Sequence, residues 1–357
     1  MTAKLAEKDK HLLEVAFYEK PFHFSYSSLN RLLTAPNIFY KEYVLKEREI
    51  KTEKHLLEGT LIHYLVLDNR AFDEKFIVTP EDLPSDNSAK VAHHVFEAYK
   101  KKVEEDVVKY ADLELCDFPK EIVEVLAEMN LHQALTDDKD LNKQGARTGD
   151  QKRVDKIVEP KTEAYFNYLK NKGRREIIDS GMLDRCTIAA DIIKADASTR
   201  DLLGMDKEPN GVTFGVYNEL DLKMELEGFP FGLRGILDNM TVDVENKLVR
   251  INDFKTSGKA LADFPDSVEY WNYWLQAAIY LKLAMEFLKD VIDNSWRFEI
   301  RFIVFDKYDQ IYAFPVSPES ISKWVVKAET ILQEALWHYE NNDYTLPYKF
   351  SAGEVTL

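Results

Sequence analysis

The chain is 357 residues long, with 45% hydrophobic and 12% aromatic residues and only 13 Gly and 12 Pro, which excludes disordered, collagen-like and low-complexity classes. A formal net charge of −16 removes any global positive field that would draw it to nucleic acid or an anionic membrane, so a DNA-binding surface has to be local. Two cysteines, Cys116 and Cys186, supply neither a disulfide framework nor a four-thiolate cluster.

The first twenty residues are charged throughout and lack the apolar stretch of an export signal. The longest apolar run, 275–288, is interrupted by Lys282 and Glu286 and is too short to span a bilayer, so a cytoplasmic protein without a membrane partner is expected. Phe24-Ser25-Tyr26-Ser27-Ser28-Leu29 predicts a helix capped by Ser27 or Ser28 and ended at Ala35-Pro36. A second helix is predicted over 37–47, with Phe39, Tyr40, Tyr43 and Val44 as its buried stripe. The 56–67 segment is apolar on nearly all sides and reads as a central, buried helix containing His63. Gly59, one turn earlier, would let another element approach closely. His63 is either a satisfied core histidine or a ligand.

From 88 to 199 the pattern is helical, punctuated by Pro119, Pro160 and a polar run at 136–150, and reads as a helical elaboration of one domain. The character changes at Gly211. Residues 219–226 alternate strictly, as a half-buried strand does, and further extended runs follow at 229–244 and 247–255. A helix over 267–288, strands at 297–305 and 310–316, and a final helix opened by Ser317-Pro318 complete an α/β pattern, a sheet flanked by helices.

A two-residue turn at Glu245-Asn246 pairs Val244 with Lys247 and, counting back along both strands, Asp238 with Asp253. That register opposes two carboxylates, with Lys255 projecting to the same face and Phe254 to the other. Such a set suits Mg²⁺ or Mn²⁺, with the lysine orienting or deprotonating water on a solvent-facing site. A surface hairpin with a solvated Asp253–Lys255 pair is the plainer reading. Glu219 is a further acidic neighbour, although an exposed alternating face also accounts for it. Gln276 and Tyr280 lie one helical turn apart, and the aromatics at 270, 271, 273 and 274 either stack on bases or line the core.

In order, Gly59-x-x-x-His63, Gly235-Ile236-Leu237-Asp238, Asp253-Phe254-Lys255-Thr256 and Gln276-x-x-x-Tyr280 resemble the PD-(D/E)XK nuclease superfamily, in its RecB-like branch. Within it, residues 24–82 and 211–290 are most similar to phage-type exodeoxyribonuclease VIII (RecE) nuclease domains. Ala35 stands where iron–sulfur members of the branch carry cysteine, which argues against that subgroup. The resemblance implies a restriction-endonuclease-like mixed central sheet flanked by helices, in a single nuclease domain over 1–357 with a core at about 22–82 and 211–340 and a helical insertion at about 88–200.

It also implies an Mg²⁺-dependent (or Mn²⁺-dependent) exonuclease acting 5′→3′ on linear duplex DNA and leaving 3′ single strands for recombination. Asp238, Asp253, His63 and the Phe254 backbone carbonyl would be metal ligands, Lys255 the catalytic lysine, and Gln276 and Tyr280 supporting or DNA-binding residues, to which Glu219 is added from its place on the preceding strand. Duplex DNA ends, a single-strand annealing protein and a homo-oligomeric ring of three or four subunits are the implied partners. A structure-specific endonuclease and an inactive DNA-end or protein-binding module are the alternatives. Arg234, Lys255, Lys259 and Arg301 are candidate basic groups for a DNA path.

Overall fold

The computed structural model describes residues 7–47, 54–67, 72–135 and 146–355. The chain divides into two compact units, 1–69 with 186–357, and 70–185. Most of the polar run at 136–150 lies outside the described residues.

In the second unit, helices Asp86–Glu105, Pro119–Glu128 and Pro160–Lys172 enclose a core that includes Val91, Val95, Phe118, Ile122 and Phe166. Pro119 and Pro160 each open a helix, where the missing N–H leaves no bond unmade. Two short strands of this unit, β2 (Phe76–Val78) and β3 (Glu176–Ile178), pair in parallel.

The first unit is built on a six-stranded mixed sheet. Its strands are β1 (His23–Phe24), β4 (Phe214–Glu225), β5 (Gly232–Asp243), β6 (Leu248–Ser257), β7 (Arg297–Asp306) and β8 (Ile311–Pro315). The order is β1-β5-β6-β7-β8, with β4 paired to β5. β4, β5 and β6 form an antiparallel meander, β6 and β7 run parallel, and β8 returns antiparallel. β6 leaves β5 after Asn239 and stays with β7, while the short β1 pairs with β5 at Gly232 and Leu233. The sheet therefore divides beside Asp238.

Helix Tyr26–Thr34 is capped by Ser25, not by Ser27 or Ser28; Ser25 and Ser28 exchange side-chain and backbone bonds in a capping box. The predicted 37–47 helix is a short α-turn, Pro36–Phe39, running into a π-helical turn, Tyr40–Val44. The predicted 267–288 helix is two helices, Phe264–Tyr270 and Tyr273–Phe287, broken at Asn272, whose φ is 57°. The central buried helix is Tyr273–Phe287, which buries Trp274 to Leu281 without a gap. Helix Lys54–Leu67 takes a smaller share, burying Leu61, Ile62, Val66 and Leu67 while Leu56 is exposed. No described helix is long and apolar enough to cross a membrane.

Candidate metal and active site

The β5–β6 turn covers 244–247 and is closed by the Lys247 N–H donating to the Val244 carbonyl at 3.3 Å. From Asp243 opposite Leu248 the ladder runs back to Asn239 opposite Asn252, the register read from the turn. The next pair would be Asp238 with Asp253, and there the ladder stops. The Phe254 N–H donates to Asp238 Oδ2 at 2.7 Å instead. On the other side of β5, Asn218 faces Asn239 and Leu220 faces Leu237, but Glu219 between them stands at φ 49° and leaves the ladder. Three acids from three strands thus share one row, and both ladders break there, where flat pairing would set like charges directly opposite.

His63 reaches this row because Gly59 lets its helix settle on β6. A Cβ at Gly59 would lie 2.7 Å from Thr256 Oγ1. His63 Nδ1 is 3.9 Å from Asp238 Oδ2, and its ring meets Phe254 edge-on at 4.9 Å. One ligand atom each from His63, Glu219 and Asp238 lie within 4.8 Å of one another. Burial, reinforced by the Lys255 charge, pushes the imidazole down to about 4, against the pull of Asp253 and a hydrogen bond to the Phe254 backbone. At neutral pH the ring is uncharged and keeps a lone pair for a cation.

Asp253 lies beside this group and is 2% exposed, so the expectation of a solvent-facing carboxylate is corrected. Its Oδ2 is 2.5 Å from Lys255 Nζ in a close ion pair, and its Oδ1 is buried with no hydrogen-bond partner among the described residues. Burial pushes Asp253 up to about 6, helped by Asp238 and resisted by Lys255. Burial likewise raises Asp238, against Lys255 and the Phe254 N–H. For Lys255 burial acts downward, but the two aspartates outweigh it and hold the ammonium above its ordinary value. Its Nζ sits 5.0 Å from the Tyr273 ring centroid.

Gln276 Nε2 donates to Tyr280 OH at 2.9 Å. Gly235 admits Tyr280 against β5, since a Cβ there would lie 2.9 Å from Tyr280 Cε1. Burial and the charges of Asp253 and Asp238 push this phenol well above its usual range. Gln276 and Tyr280 therefore back the acidic row from within the core. Among the basic candidates, Arg301 Nη1 is engaged by Glu299 at 2.7 Å, while Arg234 and Lys259 are exposed.

Two groups of residues were not tied to the acidic row by sequence reading, which named Tyr273 only among aromatics that stack on bases or line the core. Tyr26, whose phenol donates to the Trp271 carbonyl, and Tyr273 both feel the Asp253 charge, after burial as the main cause of their raised values. The second group is an asparagine ladder, buried at Asn239 and Asn252 and exposed at Asn218. Asn252 Nδ2 donates to Asn239 Oδ1 and Asn239 Nδ2 to Asn218 Oδ1, each at 2.7 Å, and Asn218 Nδ2 donates to the Leu67 carbonyl at 2.8 Å. The signal was present: each asparagine adjoins one of the three acids, as Asn218-Glu219, Asp238-Asn239 and Asn252-Asp253. The ladder ties the three strands to the end of the helix that carries His63.

No family model matches the chain, and no curated protein does. A crystal structure from Eubacterium rectale named "Putative exonuclease" is similar to it at 9% identity and a TM-score of 0.41, over 95% of this chain and 88% of that one.

Proposed function

We propose that this protein is a divalent-metal-dependent deoxyribonuclease of the PD-(D/E)XK kind, an exonuclease that acts on the ends of linear duplex DNA. The observation that carries this reading is the gathering of His63, Glu219 and Asp238 ligand atoms within 4.8 Å, beside the ion pair of buried Asp253 with half-buried Lys255. The residues fit a divalent cation: the donors are mostly carboxylate oxygens with one neutral imidazole, and Asp253 Oδ1 is buried without a hydrogen-bond partner. His63, Glu219 and Asp238 would hold the ion, with Asp253 as a further oxygen ligand and the Phe254 carbonyl as the backbone one. When bound, such an ion activates water and stabilises charge developing on a phosphoryl group.

The chain's own groups supply positioning. The Phe254 N–H fixes Asp238 Oδ2, and Asp253 Oδ2 together with the Tyr273 ring fixes Lys255 Nζ. From there Lys255, kept as an ammonium by the two aspartates, would orient the attacking water or a phosphoryl oxygen by donating to it. The resemblance adds 5′→3′ polarity and Mg²⁺ or Mn²⁺ as the ion.

The test is a nuclease assay on linear and covalently closed duplex DNA, with Mg²⁺ or with EDTA, using 5′- and 3′-labelled strands. Loss of the linear substrate alone, from its 5′ ends and only with metal, is the expected result. Nicking of the closed circle would assign an endonuclease, and DNA binding without cleavage in Mg²⁺ and Mn²⁺ would assign a binding module.

A further inference from the structure

The segment 270–274 joins two helices, and the fold sorts its four aromatic rings. Trp274 is buried in the core and Tyr273 is half-buried against Lys255, whereas Tyr270 is 73% exposed and Trp271 48%. The backbone beneath the exposed pair is clamped. The Trp271 carbonyl accepts from Tyr26 OH and, at 3.3 Å, from Asn30 Nδ2. Asn272 Nδ2 donates to Asn30 Oδ1 at 2.8 Å, and Asn272 Oδ1 accepts from Trp274 Nε1 at 3.0 Å. The left-handed backbone at Asn272 is held from both sides, so the two rings stand on a rigid turn. They meet edge to face, 4.6 Å apart at 89°.

Neither ring is spent on the core, yet both lie next to the candidate site in the chain. By chain geometry the Cα atoms of Trp271 and Tyr273 are at most about 7 Å apart, and Tyr273 touches Lys255. A cation stands beside the ring and the nearest acid is paired: Lys259 Nζ is 5.9 Å from the Tyr270 ring centroid, and Glu269 is engaged by Lys327 at 3.7 Å. Exposed aromatic rings beside a cation, a few residues along the chain from the tyrosine that touches Lys255, match the way single-stranded bases are held, by stacking on rings while basic groups track the backbone.

We infer that Tyr270 and Trp271 form a stacking platform for an unpaired nucleobase of the DNA strand being cleaved, an inference that rests on the nuclease reading. The platform takes a base of any identity, because every base offers a π-face.

The experiment measures fluorescence anisotropy of short labelled single strands bound to the full-length protein in EDTA, where cleavage is suppressed. One strand carries bases throughout and the other has abasic terminal residues. Trp271→Ala and Tyr270→Ala should weaken binding of the first strand roughly fivefold to a hundredfold, without changing that of the second. Trp271→Phe should keep most of the affinity, and Trp271→Leu should not. Unchanged melting temperatures confirm that the variants fold.

Wild-type affinity in Trp271→Ala, full recovery in Trp271→Leu, or equal binding of both strands by the wild type would each overturn the platform. A protein that still degrades linear duplex in Mg²⁺ while giving one of those results loses the platform and keeps the nuclease. Base-dependent binding that needs Trp271, in a protein that cleaves nothing, does the reverse.

Discussion

Asp253 and Lys255 show how burial changes what a charged pair contributes. Removing one partner of a buried pair leaves the other charge uncompensated, at about 3–5 kcal/mol, whereas an exposed pair contributes little. Lys255→Met is therefore expected to abolish cleavage and also to lower the melting temperature in EDTA, which calorimetry would read. Asp238→Asn should separate the two effects. Its amide oxygen can still accept from the Phe254 N–H, and one like charge leaves the row, so cleavage is lost while the melting temperature holds or rises. A fall in stability with Asn would mean that the acidic row is not repulsive. For His63, replacement by Ala should cut divalent-ion affinity by more than about tenfold in titration calorimetry, by analogy with supporting metal-site residues, with Mn²⁺ partly restoring activity. A lower melting temperature with unchanged activity at saturating Mg²⁺ would return His63 to the core.

At the scale of elements, the asparagine ladder and the C-terminal helix carry tests of their own. Asn239→Leu leaves the buried Asn252 Nδ2 with only the Leu202 carbonyl as acceptor, at about 1–3 kcal/mol for the lost bond, whereas Asn218 is exposed and its Oδ1 can turn to water. A loss of about 1–3 kcal/mol in denaturant unfolding is expected; a neutral result would mean that the lost bond is replaced by water. In helix Pro318–Asn341, His338 is 2% exposed and its Nδ1 meets the Asp343 carbonyl at 2.5 Å. Burial lowers its pKa, against the Asp343 hydrogen bond and charge. The unfolded chain thus binds this proton more readily, so the contribution is present above about pH 6.5 and lost as pH falls through the folded value. Melting temperatures from pH 8 to pH 5 should decline less steeply in His338→Gln than in the wild type.

For the whole molecule, the net charge of −16 bears on how DNA would be retained. Of the four basic candidates, Arg301 is engaged by Glu299 and Lys255 by Asp253, while Lys259 and Arg234 are exposed. A closed ring around the duplex supplies retention by topology, so a sparse basic lining can replace a broad positive surface. A homo-oligomer of three or four subunits, as the family resemblance implies, is expected in light scattering. Digestion of one linear molecule should continue after excess unlabelled DNA is added. A monomer that stops at once on that addition would rule out the ring and leave the nuclease proposal in place.

Rules that act between chain neighbours made part of this protein legible from its sequence. Strict alternation identified β4, and the turn at Glu245-Asn246 set the β5–β6 register and so brought Asp238 and Asp253 to one end of the hairpin. Glycine spacing pointed to a close approach at Gly59. These features depend on dihedral periodicity and on contacts a few residues long. Tertiary structure alone decided the rest. The break at Asn272 depends on Asn30, which lies 242 positions away, and the exposure of Trp271 follows from that break. Glu219 joins His63 and Asp238 only because both ladders part at the acidic row, and Asp253 is buried only because the surrounding helices and strands close over it. Desolvation and Coulomb interaction are sums over groups brought together from the whole chain, and no local window of sequence contains them.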